Sequence, residues 1–306
     1  MSKAKKRTKK LLKQLDEGID KMQDSQEFKE LLKFYSKFHD YSFRNTILIQ
    51  MQCPVASLVK GYKQWKELDR YVLPADEREE KDCRTDPIRI LAPQFYFKDK
   101  QIIKNQEELE QAKEKANNNK TYKIKKENGK VKLQQKQIYF KYVNVYDISQ
   151  TDGKPIPSMN LDLKNNFAEL KSILTNYCNT NNLDLQFKEL PGQREGYQRG
   201  NKIVINKNKN ETTQASIIIH EIAHYKLHNG LNGELSKELM EMEAEAVAYV
   251  VLKHFDIENT SDKYLAGYKK DHNVKNSLDR ITKTSDKLIE YIENKVKKDK
   301  NQQKTA

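Results

Sequence analysis

Between Gln26 and Phe38 the chain reads QEFKELLKFYSKF, with apolar residues recurring every three or four positions, the spacing of an amphipathic helix. RNTILIQMQ, from Arg44 to Gln52, predicts a second helix that Pro54 closes. GYKQWKELDRYVL, from Gly61 to Leu73, carries the only tryptophan, Trp65. IRILAPQFYF, from Ile88 to Phe97, is rich in β-branched and aromatic residues and reads as a strand. Residues 99–120 are polar and rich in Lys, Glu and Asn, which predicts an exposed helix and loop inserted between strands. Tyr122 and Ile124 alternate on one side of Asn128-Gly129, and Val131 and Leu133 on the other. Asn-Gly favours the positive backbone angles of a tight turn, so this stretch predicts a hairpin. IYFKYVNVYDI, from Ile138 to Ile148, predicts a further strand.

The pattern then breaks. SQTDGKPIPS, from Ser149 to Ser158, holds one glycine and two prolines among small polar residues, and reads as a linker. Beyond it come an amphipathic helix (FAELKSILTNYCNTN), a short strand (GNKIVIN) and two long helices, the second at roughly 235–255. NSLDRITKTSDKLIEYIENKV predicts a terminal helix, and no internal repeat is visible. The expected fold class is α+β in two parts. The parts are a basic N-terminal arm (1–24), a mixed helix and antiparallel-sheet domain (25–150) with a Lys-rich insertion (99–137), a linker (151–163), a second domain (164–298) and a disordered tail (299–306).

Composition narrows the function. About a third of the 306 residues are charged and the net charge is +13, which suits either a solvated Lys-rich surface or an electrostatic footprint for a polyanion. No apolar run approaches the roughly 20 residues of a membrane-spanning helix, so no membrane partner is expected. The N-terminal MSKAKKRTKKLLK lacks the apolar centre of a secretory signal. Cys53, Cys83 and Cys178 are read as isolated thiols, which fits a reducing cytoplasm.

IIIHEIAHYKLH, from Ile217 to His228, crowds three of the six histidines into nine residues. His220 and His224 are four apart, so on a helix both imidazoles project from one face and reach one tetrahedral ion. Thr212 or Thr213 is available to cap the helix and Gly230 to end it. His224 and His228 share the same spacing, but only His220 is followed directly by a carboxylate, Glu221. Zinc lowers the pKa of bound water toward ~7, and an adjacent Glu takes the proton as water attacks a carbonyl. Glu221 is therefore the expected base, His220 and His224 are zinc ligands, and His228 lies outside the ligand set. The third ligand is sought in KELMEMEAEAVAYVV. Glu241 has mostly charged neighbours at helical spacing and reads as solvated. Glu243 and Glu245 both have apolar neighbours, and periodicity does not separate them.

His220, Glu221, His224 and the downstream EAEAVAYVV helix resemble the Glu-zincins, specifically the ImmA/IrrE-type and ArdC-type metallopeptidase-like domains. That resemblance implies Glu245 as third ligand, with Glu243 the second choice. The oxyanion-stabilising group is left among Tyr225, Tyr249 and Tyr197. YLAGYKKDHNVKNSLDRITKTSDKLIEYI is similar to the C-terminal part of LtrC-like plasmid proteins.

The N-terminal half interleaves rings and cations, with Tyr41, Phe43, Tyr62 and Trp65 among Arg44, Lys60, Lys63, Lys66 and Arg70, and Asn45 beside them. Some of the rings fill a core; a stacking platform with phosphate contacts is the functional alternative. The order YSFRN, GYKQWKELDRYV, ILAP, FKYVNVYDISQTDG resembles the ArdC N-terminal single-stranded-DNA-binding domain over about residues 25–153. The chain departs from that pattern at LPADEREEKDCRTDP, which replaces a Gly-rich turn, and at the Lys-rich insertion. Together the resemblances imply a single-stranded-DNA-binding protein of a mobile element that carries a zinc metallopeptidase domain and acts in antirestriction or plasmid establishment. Two other readings share these residues: a protective DNA-binding protein with a structural or lapsed zinc site, and a regulatory protease that cleaves one repressor.

Overall fold

The computed structural model describes residues 25–78, 86–156, 163, 166–231, 235–258 and 274–305. The expected basic arm 1–24 lies outside the described residues, as does all of 264–273 in the LtrC-like stretch. Two compact units divide the rest, one built on Arg89–Asn144 and the other on the chain before and after it.

The first unit is a long β arm. Strands β3 (Ile88–Ile103) and β5 (Lys130–Asp147) are neighbours, and β4 (Tyr122–Glu127) pairs antiparallel with β5, Glu127 opposite Lys130. Asn128 and Gly129 take φ of 49° and 71° at the tip, the mirror-image turn that Asn-Gly predicts. Helix α4 (Gln106–Asn118) joins β3 to β4, with Asn105 as its cap. β3 runs six residues past the predicted strand because backbone pairing, not a buried face, holds it. Lys98–Ile103 are solvent-facing residues that show no alternation.

In the second unit, helices α1 (Ser25–Tyr35) and α2 (Phe43–Gln52) precede β1 (Val59–Gly61), α3 (Tyr62–Glu67) and β2 (Arg70–Val72). β1 pairs with the end of β5, Val59 opposite Asp147, and β2 pairs with β6 (Thr151–Gly153). The stretch expected as a linker thus opens with a strand, and Arg70 fastens it. The Arg70 guanidinium donates to Thr151 Oγ1 and to the carbonyls of Thr151, Gly153 and Lys154.

Helix α5 (Phe167–Thr180) leads into a three-stranded sheet of order β7 (Asp184–Lys188), β9 (Lys202–Asn206), β8 (Gly196–Arg199). Ile203, Val204 and Ile205 of β9 are fully buried, the continuous apolar run of a strand covered on both faces. Helices α6 (Glu211–His228), α7 (Lys237–His254) and α8 (Val274–Thr305) follow. α7 packs against α6, α8 and α1, and almost every residue from Leu239 to Leu252 is buried. α8 continues to Thr305, so helical backbone occupies most of the expected disordered tail.

Cys53 is disulfide-bonded and Cys178 is a free, buried thiol. The bonded Cys53 corrects the reading of three isolated thiols, because sequence spacing does not report spatial pairing. No described helix is long and apolar enough to cross a membrane.

Candidate metal centre

Asn210, not Thr212 or Thr213, caps the histidine helix: its side chain accepts from Thr213 N–H at 2.8 Å. Ser236 caps α7 in the same way. Two capped helices packed side by side bring the motif to the carboxylates of α7.

His220 Nε2 and His224 Nε2 lie 3.0 Å apart, and Glu241 Oε2 lies 3.4 Å from each. Partners on the far side of each ring assign the tautomers. His220 Nδ1 faces Glu245 Oε2 at 3.0 Å, so it carries the proton and donates to the carboxylate. On the other ring, the chain of partners starts at Arg280, which donates twice to the fully buried Glu243, through Nε at 3.3 Å and through a terminal nitrogen. Burial pushes the Glu243 carboxyl up, but hydrogen bonds from His228, Arg280 and Ser277 outweigh it and hold the group below its ordinary range. Glu243 accepts from His228 Nε2–H at 3.1 Å, which leaves the His228 Nδ1 lone pair to accept from His224 Nδ1–H at 3.1 Å.

Both Nε2 lone pairs therefore face one point, with a Glu241 oxygen beside them. Three electron-pair donors with no proton among them repel unless a cation lies between. Their separations match the edge of a tetrahedron around a zinc-sized ion, about 3.3 Å for bonds of 2.0–2.1 Å. The donor set fits a divalent metal. Without an ion, protons taken up by the two imidazoles hold the Glu241 carboxyl far below the usual carboxylate range, despite its partial burial. His220 responds in kind. Burial opposes its protonation, but Glu241 and Glu245 raise its pKa to about 10; a metal takes the place of that proton.

Glu241 was expected in solvent and Glu245 in the ligand set. The structure puts Glu241 beside both Nε2 atoms and Glu245 on the opposite nitrogen of His220. The two glutamates are four apart on α7, one turn along the same face. Glu243 faces away toward Arg280. His228 lies outside the triangle, as expected, and holds His224 in place.

Glu221 is 6% exposed, and burial raises its pKa against the pull of His220 and His224. Its Oε1 lies close to Gly196 on β8, where an added Cβ would meet that oxygen at 3.2 Å and Ile217 Cγ2 at 2.6 Å. Glycine is needed there for the strand to approach the helix. β8 is an edge strand, and with His220, Glu221, His224, Glu241 and Glu245 it lines a cavity of about 880 Å³. Of the three tyrosines weighed for oxyanion stabilisation, Tyr197 lines this cavity, with the Arg194 guanidinium 5.0 Å from its ring centre. Tyr249 borders a different cavity, and Tyr225 borders neither.

The N-terminal residues sort differently from expectation. Phe43 and Trp65 are buried, and the Trp65 indole N–H donates to the Tyr146 carbonyl at 3.0 Å. Tyr41 is half-buried and its hydroxyl donates to the Val59 carbonyl; Arg70 is spent on β6. The Asn45 backbone N–H reaches Ser42 Oγ at 3.4 Å. Lys60 is half-buried, while Arg44, Tyr62, Lys63 and Lys66 are exposed. The larger exposed aromatic surface lies elsewhere, on the arm, where Phe95, Tyr96, Ile138, Tyr139 and Phe140 are each about half exposed or more. Lys136 Nζ sits 3.8 Å from the Phe95 ring centre and Lys123 Nζ 3.8 Å from that of Phe97. Residues 89–144 hold 14 Lys and Arg against 6 Asp and Glu, a net +8 of the chain's +13. The Lys count of the insertion signals this surface in the sequence, but alternation does not reveal which rings stay exposed.

Fold and centre define a metallopeptidase-like domain, and residues 172–260 match the IrrE N-terminal-like domain family, Peptidase M78. Residues 1–155, half of the chain, match the N-terminal domain of anti-restriction factor ArdC, and the chain belongs to that family. An uncharacterized protein of Bacillus anthracis, pXO2-81, is 26% identical over 95% of this chain, which spans 52% of that relative's length. Two crystal structures of the antirestriction protein ArdC from plasmid R388 are similar to this chain. The metal-free one is 14% identical with a TM-score of 0.47, covering 84% of this chain and 86% of that one. The Mn(II)-bound one is 13% identical with a TM-score of 0.41, covering 84% and 85%.

Proposed function

We propose that the protein is a zinc metallopeptidase joined to a module for single-stranded DNA, serving a mobile element in the cytoplasm during antirestriction or plasmid establishment. What carries the enzyme half is the convergence of two Nε2 lone pairs and the Glu241 carboxylate on one point. His220, His224 and Glu241 hold the ion, and Glu245 orients His220 through Nδ1. Zinc, when bound, supplies a Lewis acid and a water of lowered pKa. Glu221 takes the proton from the attacking water and passes it to the leaving amine; burial suits it to both tasks. A protein substrate lies along the free edge of β8, adding a strand through backbone hydrogen bonds. Tyr197 is placed to steady developing charge on the scissile carbonyl.

The nucleic-acid half is supported by the arm's net +8 charge and its exposed rings. Every base has a stackable face, so exposed rings among lysines favour single strands without sequence preference. Casein-type peptide hydrolysis by zinc-loaded protein is the test. Glu221→Gln keeps one zinc at this centre and lowers turnover roughly 10²–10⁴-fold. Equal turnover in Glu221→Gln and wild type would sink the enzyme assignment.

A further inference from the structure

Away from the metal centre, His39 in the turn after α1, His254 at the end of α7 and Glu293 on α8 converge. One donor atom from each lies within 4.8 Å of the others. His254 Nδ1–H donates to the Ser36 carbonyl at 2.8 Å, which fixes its lone pair on Nε2. That lone pair faces Glu293 Oε1 at 3.0 Å. Two acceptors at this distance need a cation between them. His39 stacks edge-on against His254, ring centres 4.5 Å apart, and its Nδ1 is buried with no hydrogen-bond partner among the described residues. Asp40 faces the other nitrogen, Nε2, at 3.4 Å. Lys297 pairs with Glu293 through Oε2 at 3.2 Å, leaving Oε1 turned to the histidine.

A proton on His254 would satisfy Glu293 but leave His39 Nδ1 buried and unpaired, a cost of its own. A divalent transition metal serves all three groups. A backbone carbonyl on His254 Nδ1 and a carboxylate on His39 Nε2 are the outer partners that ligating histidines use.

We propose that His39, His254 and Glu293 form a second site for a zinc-class divalent metal, which staples the turn between α1 and α2 to α7 and α8. Two imidazoles and one carboxylate select that class over calcium or magnesium. Water completes the shell. The site is independent of the peptidase assignment.

Metal content of the full chain after zinc loading and desalting decides it. Wild type holds two zinc ions per chain, and this count needs no variant to fold. His39→Gln and Glu293→Gln each hold one. His220→Ala/His224→Ala also holds one, and in that background zinc raises Tm by about 4 °C or more, a rise that adding His39→Gln removes. One zinc kept in the double variant and lost with His39→Gln supports the site even if the first centre binds none. A wild-type count that His39→Gln and Glu293→Gln leave unchanged overturns it, and so does a double variant that holds no zinc.

Discussion

The metal centre and the arm handle charge in opposite ways. In the centre two buried carboxylates have named partners: Glu243 has Arg280 and His228, and Glu245 has His220. Desolvated charge is costly unless paired, and these pairs fix ring orientation and tautomer as they neutralise it. In the arm, eight cations stand in surplus over the acids, largely in water, where pairing contributes little and salt screens it. The first arrangement positions a few atoms closely. The second attracts a polyanion of any sequence.

The largest expected effect separates the two glutamates of the centre. Glu241→Gln removes a donor from the triangle and lowers zinc affinity at that centre by at least about 100-fold. Glu245→Gln leaves the triangle intact and costs roughly 10–100-fold, the range for an outer partner of a ligating histidine. Zinc titration in a His39→Gln background reads the two directly. A larger loss for Glu245→Gln would return Glu245 to the ligand set. On the arm, Phe95→Ala and Phe140→Ala each weaken binding of an oligo-dT strand by about 5–100-fold, the value of one stacked base, and leave the salt slope unchanged. Lys123→Ala and Lys136→Ala lower the slope of log affinity against log salt by about 1 each. Fluorescence anisotropy at several salt concentrations distinguishes them, and wild-type affinity in all four would place the strand off the arm.

How much of this the sequence displayed depends on what each feature needs. His220, Glu221 and His224 were legible because helical repeat alone puts residues four apart on one face. The glutamate nearest both Nε2 atoms was not. α7 is buried on almost every side, so its periodicity carries no facing information, and Glu241 looks solvated because its exposed neighbours border a cavity rather than bulk water. Asn210 was passed over for Thr212 and Thr213 because all three side chains are good caps; only geometry picks the one that reaches Thr213 N–H. Trp65 and Phe43 look like stacking surfaces in the chain yet lie in the core. The indole's partner, Tyr146, is 81 residues away. The arm's rings were read as ordinary strand residues because a ribbon with both faces wet has no alternation to give it away.

Asp286 on α8 tests the rule of paired burial from the other side. It accepts from the Tyr35 hydroxyl at 2.6 Å, but among the described residues none of the groups that set its titration is a cation. Burial raises its pKa to about 6; the Tyr35 hydrogen bond opposes this, and the nearby acids Asp40 and Glu290 add to it. The folded value lies above the ordinary value of about 3.9, so the folded state binds the proton more tightly than the unfolded chain. Its contribution to stability is complete below about pH 4 and is lost as pH rises through about 6. Asp286→Asn keeps an oxygen for Tyr35 and cannot ionise. At pH 7.5 it stabilises the fold by about 1 kcal/mol, after discounting the shift for the group's partial exposure, or roughly 2–4 °C in Tm. At pH 4 that gain vanishes. Paired melting curves of wild type and variant across pH 4–8 measure it; an equal offset at both ends would show that packing, not the buried charge, sets the difference.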